Sequence, residues 1–308
     1  MRDYILEITQ PGTRIRFENE LLLLEAPEKE TFSVPIRETG VLLLTHSGVS
    51  VSGTVLSRLT ELGIPLVCCD ERYLPSGILM PLREHSRQSR YFLEQACASA
   101  SLKKSLWKQI VQAKIRSQAA FLRFYGFDET ALNMMIPKVT SGDVRNHEGI
   151  AARIYWASLG IIPARDRKAE DADQLLNYAY TILFALAARA ICAAGLHPSL
   201  GLHHHNEYNA YCLASDLMEP FRIAADEAVF VWYRETRDHH LTRETRRYLA
   251  RAVLNVPFQM KQKKMDIFTA LSRTAVSLRQ CYHKTTRTLF LPEAVPGQTL
   301  PPERMEAE

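Results

Sequence analysis

The hydrophobic period changes once along this chain, and that change limits the fold more than any other feature. Over roughly the first 80 residues, apolar side chains alternate or run in short blocks, the pattern of strands. Residues 4–8 and 13–17 alternate on either side of Gln10-Pro11-Gly12, a turn signal. Asn19-Glu20 then separates residues 14–18 from 21–25, and residues 31–35 give another short strand. Residues 41–44 are continuously apolar, as expected of a strand buried on both faces. Leu56, Leu59 and Leu62 mark a short helix ended by Gly63, and residues 64–68 read as a further strand.

Residues 73–83 carry Pro75, Gly77 and Pro81 and read as a linker into a helix near Glu84. Beyond it the period is helical. Residues 102–125 form one long helix with Lys103, Lys104, Lys108, Lys114 and Arg116 decorating it, stopped by Gly126. Short helical signal follows over 130–136. Ser141, Gly142 and Asp143 offer N-caps for a helix over 144–159, and a loop from 160 to 168 follows it. Further helices are expected over 171–194, 225–236, 243–254 and about 265–289. The tail from Pro292 has four prolines and four glutamates and reads as disordered or as a docking peptide. The fold class expected is α+β: a small β-rich domain over 1–80, a larger α-helical domain over 81–291, and a disordered tail over 292–308.

The 308 residues are enough to bury a sizeable core. The longest apolar stretch, 178–196, contains Arg189 and much alanine, so it reads as a buried helix rather than a membrane span. The opening residues lack the apolar core of a signal peptide, and a cytoplasmic location is expected. Six cysteines at 68, 69, 97, 192, 212 and 281 form no CxxC pair, which suits small buried thiols in a reducing compartment. Residues 1–85 hold 8 basic and 12 acidic side chains, whereas 86–308 hold 30 and 22. A basic second lobe suits a polyanion such as nucleic acid, although a solvated helical surface would look the same.

Residues 201–222, GLHHHNEYNAYCLASDLMEPFR, concentrate potential metal ligands: His203, His204, His205, Asp216 and Glu219. Asp216 and Glu219 share a helix face at i, i+3, and Pro220 bends the chain beside Glu219. On one straight helix His204 and Glu219 would lie about 22 Å apart. A shared ion therefore requires a chain reversal, for which 206–209 is the natural place, with Asn209 capping the helix that follows. Adjacent histidines diverge in direction, so only one can readily point at a given ion. The bland reading is a surface histidine tract beside a solvated acidic face. Glu148 stands among Gly149, Ala151 and Ala152, either in a close helix–helix seam or as a surface acid favoured by the helix dipole.

Together, Glu148-Gly149-x-Ala-Ala, LLNYAYTIL at 175–183, GLHHHN and DLMEPFR resemble the CRISPR-associated spacer-acquisition integrase family, the larger of the two universal adaptation proteins. SVPIRETGVLLL at 33–44 and PLVCCDERYLPSGILMPL at 65–82 are similar to its type II version. The likeness spans nearly all of the chain apart from the tail. It implies a β-sandwich-like N-terminal domain that serves dimerisation, an all-α catalytic domain, and a homodimer working with the small second adaptation protein on DNA. It also implies a Mg2+ or Mn2+ site made by Glu148, His204 (at the G-x-x-H position) and Glu219, with Asp216 as a further ligand or an acceptor orienting His204. The reaction implied is phosphoryl transfer, in which a prespacer 3′-hydroxyl attacks a phosphodiester of the CRISPR repeat. Three basic groups are candidate DNA contacts: Arg165, Arg167 and Lys168; Arg243, Arg246, Arg247 and Arg251; and Lys261, Lys263 and Lys264 just before the last helix. The residues by themselves leave open a metal-dependent nuclease that never integrates, and a non-catalytic helical DNA-binding scaffold.

Overall fold

The computed structural model describes residues 4–71, 73–81, 85–160 and 172–302. The chain divides into two compact units, Met1–Ser86 and Arg87–Glu308. The first holds strands β1 (Tyr4–Ile8), β2 (Arg14–Glu18), β3 (Leu21–Glu25), β4 (Phe32–Pro35), β5 (Thr39–Leu44), β6 (Ser50–Val51), β7 (Leu66–Cys69) and β8 (Pro75–Leu79). Helix α1 (Gly53–Glu61) lies between β6 and β7. They form two four-stranded sheets, ordered β1-β5-β7-β8 and β4-β3-β2-β6. β2 and β3 make the expected hairpin, with Glu18 opposite Leu21, and both turn residues, Asn19 and Glu20, have positive φ as a two-residue turn of this hand requires. The strands either side of Gln10-Pro11-Gly12 do not pair with each other. β1 runs parallel to β5 and β2 lies in the other sheet, so that turn carries the chain between sheets.

β5 sits between β1 and β7, parallel to both, and is buried on both faces, which accounts for its unbroken apolar run. Parallel neighbours need a crossover, and α1 supplies it between β5 and β7. Ile8, Ile15, Leu22, Leu42, Val55 and Leu59 bring both sheets and α1 into one core. The expected linker over 73–83 is corrected: Pro75–Leu79 is β8, antiparallel to β7 at the sheet edge. An edge position tolerates the proline's missing N–H, so its presence did not exclude a strand.

The second unit holds helices α2 (Gln88–Ala96), α3 (Ala100–Phe124), α4 (Thr130–Met135), α5 (His147–Leu159), α6 (Ala172–Ala193), α7 (Cys212–Met218), α8 (Arg222–Thr236), α9 (Arg243–Asn255) and α10 (Ile267–Tyr282). Gln174–Ala193 of α6 is long and apolar enough to cross a membrane, but 83% of its most apolar window is buried in the protein, where α6 packs against α7, α8, α9 and α10. α10 ends seven residues before the expected 289, at a turn where Thr285 N–H donates to Gln280 O and Lys284 takes a positive φ. Among the described residues no disulfide forms. Cys192, Cys212 and Cys281 are buried as expected, while Cys68 and Cys97 are exposed.

The second unit is not all-α. Strands β9 (Phe258–Met260), β10 (Lys263–Met265) and β11 (Glu293–Ala294) form an antiparallel sheet ordered β10-β9-β11. Lys261, Lys263 and Lys264 therefore lie on a hairpin. The expected disordered tail is corrected too, as far as residue 302. β11 pairs with β9, Gly297 N–H donates to Glu227 Oε1 at 2.7 Å, and the Tyr248 hydroxyl donates to Leu300 O at 3.0 Å. Prolines that exclude helix are compatible with this extended path along an edge.

Candidate metal centre

Ser99 caps α3, its hydroxyl accepting from Leu102 N–H at 3.2 Å. Trp107, Lys114 and Gln118 recur at i, i+7 and i+11 on one stripe, and all three are buried. Lys114 therefore does not decorate the surface. Burying an ammonium is costly unless it is paired. Here it donates to Glu148 Oε1 and, at 2.6 Å, to Glu219 Oε2. The charges of Glu219 and Glu148 outweigh its burial and raise the Lys114 pKa.

Glu148 is the second residue of α5, a helix that starts at 147 rather than 144. Residues 141–143 form a separate turn, and Asn146 in the left-handed region caps Gly149 N–H at 3.2 Å. Asp143, buried, accepts the N–H groups of His147 (3.0 Å) and Glu148 (2.8 Å). A Cβ on Gly149 would stand 2.9 Å from the capping Asn146 side chain, so the glycine after Glu148 makes room for the cap. The turn thus aims Glu148 inward at Lys114.

Glu219 sits in the single turn Glu219–Phe221 that Pro220 imposes between α7 and α8. Arg222 Nη2 lies 2.9 Å from Glu219 Oε1, and the guanidinium also covers the Tyr180 ring at 4.6 Å. Burial pushes the Glu219 carboxyl up, but Arg222 and then Lys114 outweigh it and hold the carboxyl down at about 2.

The chain reverses over 206–209, where Asn209 N–H donates to Asn206 O at 3.0 Å. Asn209 does not cap α7, which begins at Cys212. Its carboxamide instead accepts from Tyr211 N–H at 2.9 Å and donates to the Ser215 hydroxyl. Asp216 is fully buried beneath the histidines. Its Oδ2 accepts from Leu202 N–H (2.6 Å) and His203 N–H (3.1 Å), and its Oδ1 from His204 N–H (3.2 Å). His204 Nδ1 lies 2.6 Å from the same Oδ1. With both oxygens engaged, Asp216 is placed to orient His204 rather than to meet an ion itself.

The three histidines diverge. His203 stacks on Trp107 with centroids 4.4 Å apart, and His204 meets the same ring edge-on at 5.8 Å. The bond to Asp216 raises the His204 pKa against its burial, and the charges of Glu219 and Glu148 add to the rise. Burial lowers that of His203.

One contributor carried no sequence signal. Gln95 of α2, fully buried, donates to His197 O (2.9 Å) and Leu200 O (3.0 Å) and accepts from His197 N–H (2.8 Å), pinning the strand of chain that leads to His204. Nothing in the composition of α2 marks a glutamine for this task.

A cavity of about 100 Å³ opens onto the two glutamates and their cations, lined among others by Lys114, Gln118, Glu148, Tyr180, Glu219 and Arg222. Among the described residues no three His, Cys, Asp or Glu side chains are already gathered as a metal cluster; the Lys114 ammonium stands between the two acids. The donor set nonetheless fits a hard or borderline divalent ion. Two carboxylates reach one common cation, and His204, held through Nδ1, keeps Nε2 as a nitrogen donor.

Of the basic groups, Arg165, Arg167 and Lys168 lie outside the described residues. Arg243, Arg247 and Arg251 form an exposed stripe at four-residue spacing on α9, whereas Arg246 is half-buried and donates to Leu241 O. Lys261, Lys263 and Lys264 are exposed on the β9–β10 hairpin.

A β-rich unit followed by a helical unit of this design is a fold already known from solved structures. A casposase bound to integration product aligns with 99% of this chain and 96% of its own at a TM-score of 0.79 and 16% identity. A Cas1 protein from Thermotoga maritima aligns with 93% and 98% at a TM-score of 0.76 and 16% identity. At such identities the likeness establishes the fold. The family rests on sequence: residues 6–254 match the model described as CRISPR associated protein Cas1. The CRISPR-associated endonuclease Cas1 of Neisseria meningitidis serogroup C is 31% identical over 295 residues, 94% of this chain and 96% of that protein. A Pyrobaculum aerophilum relative of the same description is 32% identical over 260 residues, 79% of this chain and 88% of that protein. The chain belongs to the Cas1 family.

Proposed function

We propose that the protein is a divalent-metal-dependent DNA integrase and endonuclease of CRISPR adaptation, which joins prespacer 3′-hydroxyl ends to the CRISPR repeat by transesterification. The observation that carries this reading is that Glu148 and Glu219, from separate elements, converge on one cation beside a histidine set by Asp216. Relatives named endonucleases and a neighbour bound to an integration product support the reaction class.

Glu148, Glu219 and His204 Nε2 would hold Mg2+ or Mn2+. When bound, such an ion polarises the phosphoryl oxygen, lowers the pKa of the attacking hydroxyl and offsets developing negative charge. The prespacer 3′-hydroxyl gives up its proton to solvent and its oxygen forms the new P–O bond. The bond from phosphorus to the 3′-oxygen of the adjoining nucleotide breaks, and that oxygen leaves and takes up a proton. Asp216 keeps Nδ1 of His204 protonated, so that Nε2 presents its lone pair. Arg222 neutralises one oxygen of Glu219 and leaves the other for the site. Water in place of the hydroxyl would give strand cleavage at the same residues.

Exposed arginines of α9, the lysines of the β9–β10 hairpin, and Arg165, Arg167 and Lys168 are the proposed phosphate contacts. The protein acts in the cytoplasm as a homodimer, paired through its N-terminal domain, in a complex with the small second adaptation protein. A neighbour of the same fold described as a Cas6-RT-Cas1–Cas2 complex supports that partner. Incubation with a 3′-hydroxyl prespacer, the small partner, a supercoiled repeat plasmid and Mg2+ or Mn2+ tests the reading. Covalent joining at the repeat is expected; cutting without joining would leave a nuclease only.

A further inference from the structure

A site that takes up a divalent ion must be occupied by something before the ion arrives, and the proposal made here rests on that metal reading. Buried polar atoms in folded chains are nearly all paired. Beside the cavity one acceptor is not: Gln118 Oε1 is buried with no hydrogen-bond partner, in a side chain 4% exposed. Gln118 lies one helical turn beyond Lys114 on α3, and both line the cavity. Side chains at i and i+4 stand about 5–6 Å apart at Cβ, within the sweep of a lysine. Lys114 meanwhile holds Oε2 of Glu219 and Oε1 of Glu148, the oxygens that face each other across the site. Arg222 uses the other oxygen of Glu219 and does not compete for that space.

We propose that Lys114 is an exchangeable resident cation. In the metal-free protein its ammonium neutralises Glu148 and Glu219. When a divalent ion enters between these acids, the ammonium moves one turn along α3 and donates to Gln118 Oε1. The carboxylates then never face one another without a cation, and the amide oxygen that is orphaned in the metal-free state gains its donor as the metal gains its ligands. The exchange sets metal affinity below what the bare acid pair would give, because two cations cannot share the space between the carboxylates.

Calorimetric titration of the chelator-stripped full chain with Mn2+ tests this, using wild type, Lys114→Met, Lys114→Gln, Gln118→Leu and the Lys114→Met/Gln118→Leu double variant. Lys114→Met is expected to bind Mn2+ at least about tenfold more tightly than wild type, and Lys114→Gln to shift the same way. In chelator Lys114→Met should melt at lower temperature than wild type and recover on adding Mn2+. Gln118→Leu should bind Mn2+ several-fold more weakly, through loss of the receiving acceptor, and should change nothing in the Lys114→Met background. Equal or weaker Mn2+ binding by Lys114→Met and Lys114→Gln would overturn the proposal, since the lysine would then be organising the acids rather than competing. Equal effects of Gln118→Leu in both backgrounds would overturn the receiving role of Gln118. Absence of Mn2+ binding in wild type and Lys114→Met alike would instead bring down the metal reading itself.

Discussion

Asp216 Oδ1 lies 2.6 Å from His204 Nδ1 and also accepts the His204 backbone N–H, so one buried carboxylate fixes both the ring and the chain of the same residue. The first prediction follows from this pair. Asp216→Asn weakens the hydrogen bond and removes the charge that raise the His204 pKa. Proton NMR titration should show the His204 ring titrating lower in the variant than in wild type, and Mn2+ affinity should fall about 10–100-fold, as for other carboxylate–histidine supports that have been removed. An unchanged His204 titration would contradict the assignment.

Gly201 is where that loop comes closest to its support. A Cβ there would stand 2.5 Å from His204 O and 3.0 Å from Asp216 Oδ2. Backbone at that distance cannot yield as a flexible side chain can. Gly201→Ala should cost about 1–3 kcal/mol of stability by overpacking and weaken Mn2+ binding as His204 shifts. Differential scanning calorimetry and the Mn2+ titration together check it; wild-type melting would show that the loop absorbs the methyl group.

Glu219 makes stability depend on acid. Its folded pKa is depressed to about 2, held there by Arg222 and Lys114 against burial. A depressed carboxylate stabilises the fold above its unfolded pKa, about 4.3, and loses that contribution as pH falls through the folded value. The metal-free protein should therefore lose stability, on the order of 3 kcal/mol from this group, as pH falls from about 4.3 to 2. Glu219→Gln should be less stable at neutral pH, with Lys114 and Arg222 left buried beside a neutral amide, and its urea midpoint should fall less steeply through that window.

The α9 arginines make an electrostatic prediction. Replacing Arg243, Arg247 and Arg251 with serine should weaken DNA binding uniformly across sequences. The slope of log K against log salt on duplex DNA should become shallower by about 0.9 for each phosphate that is no longer neutralised. Stability should change little, because these side chains are exposed. An unchanged salt slope would place the DNA elsewhere.

How legible these features were in the sequence depended on whether their cause was local. The β2–β3 hairpin announced itself through Asn19-Glu20, and the bend at Glu219 through Pro220, since each is dictated by neighbouring residues. The reversal over 206–209 followed from the spacing of His204 and Glu219 once the two were required to share an ion. The pairing of β1 with β5 was invisible, because a turn signal says that the chain turns and not which sheet it turns into. β8 was hidden by Pro75, which its edge position makes acceptable, and β11 by the prolines that flank it. Lys114 looked like a surface lysine, yet it stands seven residues after Trp107 on the apolar stripe of α3, and that register was the available clue. Gln118 and Gln95 act through partners remote in sequence or through an empty valence, neither of which composition records.

Glu148, Glu219 and His204 are together the ligands proposed for a divalent ion. Anomalous diffraction at the manganese edge from crystals grown with Mn2+ tests this assignment most directly. One strong peak is expected within ligand distance of a Glu148 carboxylate oxygen, Glu219 Oε2 and His204 Nε2, with the Lys114 ammonium withdrawn from between the acids. A peak bound elsewhere, or no peak with Lys114 still bridging Glu148 and Glu219, would contradict it.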